Sequence, residues 1–166
     1  YTKIEGFAFL PITSFMMALT TFVSQNRGAK EYERARKGAH FGLVCSVGLA
    51  ETIGLLIALF ATPLMRLFVD DPQVIQYGVE RAHYATILFF LLAYSHGVSA
   101  VLRGVGKSVV PMVVMLVCWC LVRVTLLTML NMLFHNILFV YLIYPFTWSL
   151  SSIVFFLYYR KINWQE

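Results

Sequence analysis

Long apolar stretches separated by short polar segments dominate this sequence. Five stretches are each long enough to cross the hydrocarbon core of a bilayer as a helix, which takes about 20 residues. Uninterrupted runs of this length, with glycine and proline inside them, are typical of membrane helices rather than buried helices of a soluble protein. We therefore predict an all-α polytopic transmembrane helix bundle. Its five spans are predicted at residues 4–23, 39–64, 82–102, 109–129 and 137–159.

The composition indicates that lipid is the main solvent of the chain. Hydrophobic residues make up 60% of its 166 residues and charged residues 13%, whereas soluble domains average about 45–50% and 25%. No separate soluble domain fits between the spans. The chain begins with Tyr1 rather than methionine and shows no signal peptide, so we expect it to start inside a larger protein.

The basic residues predict the orientation of the spans. If five spans alternate, three polar segments fall on one side and hold nine of the 13 basic residues. These nine are Arg27, Lys30, Arg34, Arg36, Lys37, Arg103, Lys107, Arg160 and Lys161. By the positive-inside rule this side is cytoplasmic, and so is the C-terminus, in a bacterial inner membrane. Because loop topology explains the net charge of +5, nucleic acid is not an expected partner.

A stripe of small and polar residues follows one face of the first span. Pro11, Ser14, Ala18, Thr21 and Gln25 recur every three or four residues and share that face. In lipid, such a face favours contact with another helix or with water. Two interpretations remain open: helix packing, or the wall of a translocation cavity to which Ser14, Thr21 and Gln25 contribute.

Three polar residues inside predicted spans are candidates for ion or proton coupling. Glu51 lies about 12 residues into the second span, roughly 18 Å deep, and an unpaired carboxylate there is costly. Glu51 therefore either handles a cation or proton, or is a structural partner for a cation or a hydroxyl group. Arg123 in the fourth span either extends toward the interface, pairs with Glu51, or pairs with a carboxylate elsewhere in the protein. His96 in the third span is either a proton relay or a structural residue.

The sequence contains no pattern typical of an enzyme, a metal site or a cofactor site. Cys45, Cys118 and Cys120 lie in apolar stretches without metal-ligand spacing. The GVGKS segment at residues 104–108 fails the phosphate-binding pattern, because Val101 stands where that pattern requires glycine. No Ser/His/Asp set and no HExxH motif is present. We expect no enzymatic activity, no bound metal and no cofactor.

Two segments resemble the multidrug and toxic compound extrusion (MATE) family. The segment TFVSQNRGAKEYERARKG resembles the one that ends the second helix of each six-helix lobe, and its matching residues are Gln25, Asn26, Gly28, Ala29, Arg34, Ala35 and Gly38. The segment VLRGVGKSVVPM resembles the connection between helices ten and eleven. Its matching residues are Leu102, Arg103, Gly104, Gly106, Pro111 and Met112. Arg123 also stands where the family commonly has an arginine.

The resemblance implies that the five spans are helices eight to twelve of a twelve-helix antiporter. Its partners would be membrane lipid, the N-terminal lobe and helix seven of the same protein, and cationic or amphipathic compounds exported in exchange for Na⁺ or H⁺. Four of the matching residues would hold cytoplasmic loops and helix ends in register, namely Gln25, Asn26, Arg34 and Arg103. The resemblance does not choose the ion, because the stretch that carries an acid in some members reads LLAYSH here.

Two other functions remain alternatives. A flippase for lipid-linked oligosaccharides with related architecture would need a cavity rich in basic residues, and in this sequence only Arg123 lies deep within a span. The other alternative is a membrane scaffold or subunit that transports nothing.

Overall fold

The computed structural model describes residues 2–134 and 137–165. Within these residues the chain forms eight α-helices and one π-helical segment, and no strand. The helices are α1 (Thr2–Gly28), α2 (Tyr32–Leu59), α3 (Ala61–Arg66), α4 (Pro72–Thr86), α5 (Phe89–Gly104), α6 (Val109–Met115), the π-helix (Leu116–Val122), α7 (Arg123–Phe134) and α8 (Ile137–Arg160). The prediction of an all-α bundle is confirmed.

Several of these elements are long and apolar enough to cross a membrane. Four qualify by themselves, namely Ile4–Gly28, Tyr32–Leu59, Val109–Leu130 and Leu142–Arg160. The pair α4 and α5 qualifies only when taken together, and its two helices meet at an angle of 57°. The described chain therefore has four such spans, or five if this bent pair is one broken span.

Helical structure extends well into the charged segment that was predicted to connect the first two spans. α1 continues to Gly28, and α2 already begins at Tyr32, so that only residues 29–31 form the connection. Lys30 in this turn has a left-handed backbone with φ of 62°. The charged side chains lie on exposed helix ends, where water solvates them without interrupting the helix.

The third predicted span, 82–102, is not one straight helix. α4 starts at Pro72, because Asp71 caps its first turn by accepting a hydrogen bond of 2.8 Å from the Gln73 N–H. The helix ends at Thr86, whose hydroxyl donates to the Ala82 carbonyl at 2.8 Å. Such bonding back to the preceding turn tends to bend helices.

α5 is the central helix of the bundle, since α1, α2 and α8 all pack against it. Its close contact with α1 depends on Gly104, where an added Cβ would lie 2.8 Å from Val23 Cβ and 2.9 Å from the Thr20 carbonyl oxygen. The Thr20 hydroxyl also donates to the Ala100 carbonyl at 3.1 Å. Small residues and interhelical hydrogen bonds of this kind drive helix association in lipid.

We predict that Gly104→Ala destabilises the bundle, because the new methyl group meets the backbone of α1 and forces the two helices apart. The expected loss in the free energy of unfolding is about 1–3 kcal/mol. Unfolding of the full-length protein in detergent measures it. Gly48→Ala is the control, because a Cβ there has no neighbour within 4 Å. Equal stability of the two variants would contradict the close-contact interpretation.

Candidate functional site

Polar side chains from α5, the π-helix, α7 and α8 meet inside the bundle and form what we call the polar seam: Ser95, Trp119, Arg123, Thr147, Ser151 and Ser152. Ser95 Oγ on α5 lies 3.0 Å from Ser151 Oγ and 2.9 Å from Ser152 Oγ on α8. The Ser152 hydroxyl donates to the Leu91 carbonyl at 2.9 Å. The seam thus joins α5 to α8 through hydroxyl groups buried from solvent.

Two matched hydrogen bonds connect the fourth predicted span to α8. Trp119 Nε1 donates to Ser151 Oγ at 3.1 Å, and Arg123 Nη2 donates to Thr147 Oγ1 at 2.7 Å. The donors are four residues apart, as are the acceptors, so the bonds lie about one turn apart on antiparallel helices. Trp119 belongs to the π-helix, and Arg123 directly follows it. Short π-helical segments inside α-helices are frequent at functional sites.

Arg123 is held by a hydroxyl group and two aromatic rings. Besides the Nη2 bond, its Nε donates to Thr147 Oγ1 at 3.2 Å. The guanidinium carbon lies 5.2 Å from the ring centre of Trp119 and 4.7 Å from that of Tyr144. The ion pairs among the described residues are Lys37 with Glu33 and Arg81 with Glu5. The structure therefore does not bring Arg123 and Glu51 together.

Glu51 stabilises the break between α4 and α5. Its Oε1 accepts a hydrogen bond of 2.6 Å from the Phe90 N–H in the first turn of α5, a donor that the interrupted helix leaves without an intrahelical partner. Gly54, one turn later on α2, allows this close contact, because a Cβ there would lie 3.0 Å from the Thr86 carbonyl oxygen. The partner of Glu51 is thus a backbone amide.

His96 lies between two aromatic rings. Its ring centre is 5.2 Å from that of Phe9 on α1 and 5.1 Å from that of Trp119, in both cases edge to face. Its Nε2 is buried and has no hydrogen-bond partner among the described residues, and the same holds for Ser99 Oγ three residues later. Unsatisfied buried polar atoms are rare in native proteins, so the α5 face that carries them is a candidate for proton or water exchange.

The predicted polar stripe of α1 forms a surface that the rest of the described chain leaves uncovered. Ser14, Thr21 and Gln25 are exposed, as are Pro11 and Ala18 on the same helix face. The Ser14 hydroxyl donates to the Leu10 carbonyl, and the Thr21 hydroxyl to the Met17 carbonyl, both at 3.0 Å. Each hydroxyl therefore has a partner within its own helix and keeps its acceptor capacity for another molecule.

The two segments that carry the family resemblance lie next to each other. The Arg27 guanidinium donates to the Val105 carbonyl at the end of α5, and Gly106 has a left-handed φ of 81° in the following turn. Asn26 Nδ2 donates to the Phe22 carbonyl at 2.8 Å within its own helix. Among the other motif residues, Gln25, Gly28, Arg34 and Arg103 are exposed, whereas Gly104 is buried against α1.

Two further residues of interest were not singled out from the sequence. Arg27, counted only as a loop charge, connects the two motif segments. Glu5, whose Oε2 lies 3.7 Å from Arg81 Nη2, is an acidic residue near the start of α1. Glu5 also falls within a predicted span, 4–23, but at its edge, so it lacks the depth that identified Glu51.

The described residues contain no group of three His, Cys, Asp or Glu side chains close enough to hold a metal ion. Among the cysteines, Cys118 is buried, Cys45 half-buried and Cys120 exposed, and all three are free thiols. The chemistry of the site therefore rests on hydroxyl groups, an imidazole and a few charges inside an apolar bundle.

Sequence comparison finds one matching protein family and several similar proteins. Residues 1–129 match the sequence profile of the MatE family. The chain is 30% identical over 112 residues to the probable multidrug resistance protein NorM of Thermotoga maritima, which covers 68% of this chain and 24% of that protein. It is 23% identical over 166 residues to the probable multidrug resistance protein YoeA of Bacillus subtilis, covering 99% of this chain and 35% of that protein.

A relative with a different named cargo is also similar. The FAD transporter of Shewanella oneidensis is 29% identical over 76 residues, which cover 46% of this chain and 17% of that protein. The chain thus spans between 17% and 35% of the length of these three curated relatives.

We predict that Glu51→Leu lowers the free energy of unfolding by about 1–3 kcal/mol, because it leaves the Phe90 N–H in the first turn of α5 without an acceptor. Glu51→Gln keeps a side-chain oxygen at the same place and should cost less. Unfolding of the full-length protein in detergent compares the two variants. Equal losses would show that the negative charge, rather than the acceptor for the backbone amide, is what the break requires.

Proposed function

Because this chain belongs to the MatE family, we propose that it is most of the C-terminal half of an efflux transporter for cationic or amphipathic toxic compounds. The observation that carries this proposal is the family match over residues 1–129, in a chain whose helices are long and apolar enough to cross a membrane. The likeness to two proteins named for multidrug resistance supports the choice of cargo. On this proposal the protein is not an enzyme.

The proposed mechanism is secondary antiport by alternating access, in which entry of Na⁺ or H⁺ drives export. Transporters built from repeated lobes bind their cargo between the lobes and rock around it. The uncovered stripe of α1 supports this, because a helix face with hydroxyl groups and small residues suits a water-filled cavity better than lipid. Ser14, Thr21 and Gln25 would line the cavity, and the N-terminal lobe would form its other wall.

Three charged or titratable side chains inside the spans have different proposed roles. Glu51 and Arg123 bond to a backbone amide and to Thr147, respectively, which favours roles in holding the bundle together. The His96 imidazole has a buried nitrogen without a partner among the described residues. Its position between the rings of Phe9 and Trp119 nevertheless favours a packing role for His96.

The proposed location is the bacterial inner membrane, with lipid around the apolar helix faces and the C-terminus in the cytoplasm. The exposed basic side chains in the connection after α1, at the start of α2 and at the ends of α5 and α8 support this orientation, because such residues concentrate on the cytoplasmic side. Gln25, Asn26, Gly28, Arg34, Arg103 and Gly104 would then lie at the cytoplasmic end of the lobe, where Arg27 joins the two motif segments.

A second candidate function is transport of a lipid-linked oligosaccharide. One structural observation favours it. Arg81 lies beside Arg123 at the ring of Tyr144, so this part of the bundle contains two basic residues, whereas the sequence indicated only Arg123. The same cluster contains Glu5, and the α1 stripe carries no charge. A cavity built from this stripe suits amphipathic cations better than a pyrophosphate.

We predict that cells producing the full-length protein accumulate less of a fluorescent cationic drug than control cells. The difference should depend on Na⁺ at fixed pH, or on the proton gradient, according to the coupling ion. Thr21→Val should weaken export several-fold, by removing a hydroxyl from the proposed cavity wall. Drug accumulation at equal protein level is the measurement.

Thr125→Val is the matched control for this test. Like Thr21, Thr125 is exposed and bonds to the carbonyl four residues earlier in its own helix, but it lies on α7. Equal export by the two variants would contradict the cavity wall. No difference in accumulation between producing and control cells, with either ion gradient present, would contradict the proposed function.

A further inference from the structure

One carboxylate and two guanidinium groups surround the ring of Tyr144 at the end of the bundle opposite the basic helix ends. Glu5 Oε2 lies 3.7 Å from Arg81 Nη2. The guanidinium carbon of Arg81 is 4.9 Å from the Tyr144 ring centre, and that of Arg123 is 4.7 Å from it. The cluster thus joins α1, α4, α7 and α8.

The carboxylate oxygens of Glu5 remain able to accept hydrogen bonds or a proton. Its side chain is only 19% exposed, and that of Arg81 is 23% exposed. A separation of 3.7 Å between nitrogen and oxygen exceeds the length of a hydrogen bond, and Glu5 accepts no hydrogen bond from a described residue. A carboxylate within a membrane span is costly, and such residues characteristically mark ion or proton pathways.

The space beside Glu5 is very small. A crevice of about 10 Å³ is lined by Glu5, Arg81, Tyr84, Ala85, Tyr144 and Trp148. That volume is at the lower limit for a single water molecule. A drug molecule does not fit there, and neither does an ion that keeps part of its hydration shell.

The charges around the crevice disfavour a metal cation. Sodium would have to replace its water with several oxygen ligands. Among the described residues that line the crevice, Glu5 supplies the only carboxylate, and the two guanidinium groups repel the ion. A proton needs no coordination shell, because it forms a covalent O–H bond with one carboxylate oxygen. Burial against aromatic rings favours the neutral acid and the two guanidinium groups favour the carboxylate, so the two effects oppose each other.

We propose that Glu5 is a proton-exchanging residue of this transporter and that the coupling ion is H⁺. A hydronium ion gives its proton to a Glu5 carboxylate oxygen and leaves as water. The neutral acid no longer attracts Arg81, which weakens the link between α1 and α4. Since α1 also carries the uncovered polar stripe, protonation of Glu5 would loosen the packing of the helix that forms the proposed cavity wall. This inference rests on the proposed efflux function and deepens it.

Other titratable or charged groups face this site from each neighbouring helix. They are Arg81 and Tyr84 on α4, Arg123 on α7 and Tyr144 on α8. On α5, His96 lies behind Phe9, one turn along α1 from Glu5. Among these groups His96 is the rival to Glu5, because an imidazole is the side chain that ordinarily changes its charge closest to neutral pH.

The test uses full-length protein in proteoliposomes that hold a pH-sensitive dye, with drug-driven proton movement as the first readout. Drug binding without any gradient, measured across a range of pH, is the second. In the wild type, acid pH should weaken drug binding about tenfold, within the usual range of coupling between two sites. Glu5→Gln should abolish drug-driven proton movement and make binding independent of pH, while Glu5→Asp retains both.

Two control variants separate this role from a structural one. Glu33→Gln changes an exposed acid at the opposite end, paired with Lys37 at 2.7 Å, and should behave like the wild type. His96→Gln should keep the pH dependence of binding. The inference is overturned if Glu5→Gln still moves protons, if His96→Gln alone removes the pH dependence, or if Glu5→Asp fails together with Glu5→Gln and both lose thermal stability.

The outcomes also separate this inference from the proposed function. Drug transport driven by Na⁺ alone, or unaffected by Glu5→Gln, would overturn the role of Glu5 and leave efflux intact. A wild-type protein that binds and moves no drug under either gradient would overturn both.

Discussion

Backbone amide and carbonyl groups inside a bilayer find no water to bond with, and this constraint governs the structure of the chain. Unbroken helices meet it through their own hydrogen bonds. Where the helix breaks between Thr86 and Phe89, another part of the chain supplies the missing partner, since Glu51 on α2 accepts the Phe90 N–H. An intramembrane carboxylate that looks like a transport residue in the sequence thus has a structural partner 39 residues away.

The lipid environment also determines how the helices associate with one another. Lipid tails are as apolar as leucine, so contact between helices must be favoured by close packing and by hydrogen bonds. α5 illustrates both: Gly104 allows contact with α1, and Ser95 bonds to the serines of α8. The polar seam also positions Trp119 and Arg123, whose bonds to α8 are about one turn apart. The fold and the candidate site therefore share the same side chains.

The sequence predicted what depends on local composition and missed what depends on contacts between distant residues. Apolar runs indicated the helical class, and two short motif segments indicated the family, because each of these patterns can be read within a short stretch of sequence. The break in the third span was not predicted, since Glu51 and Gly54 stabilise it from another helix. The pairing of Glu5 with Arg81 and the bond from Arg27 to Val105 join residues more than 70 positions apart, and no local pattern indicates either.

The most direct test of this account is the side of the membrane on which each helix connection lies. Single cysteines at Lys30 and at Gln73, in full-length protein whose own cysteines are replaced, would be treated with a membrane-impermeant thiol reagent on intact cells. The account predicts that Gln73→Cys reacts from outside and that Lys30→Cys reacts only after the membrane is opened. Labelling of Lys30→Cys on intact cells would contradict it.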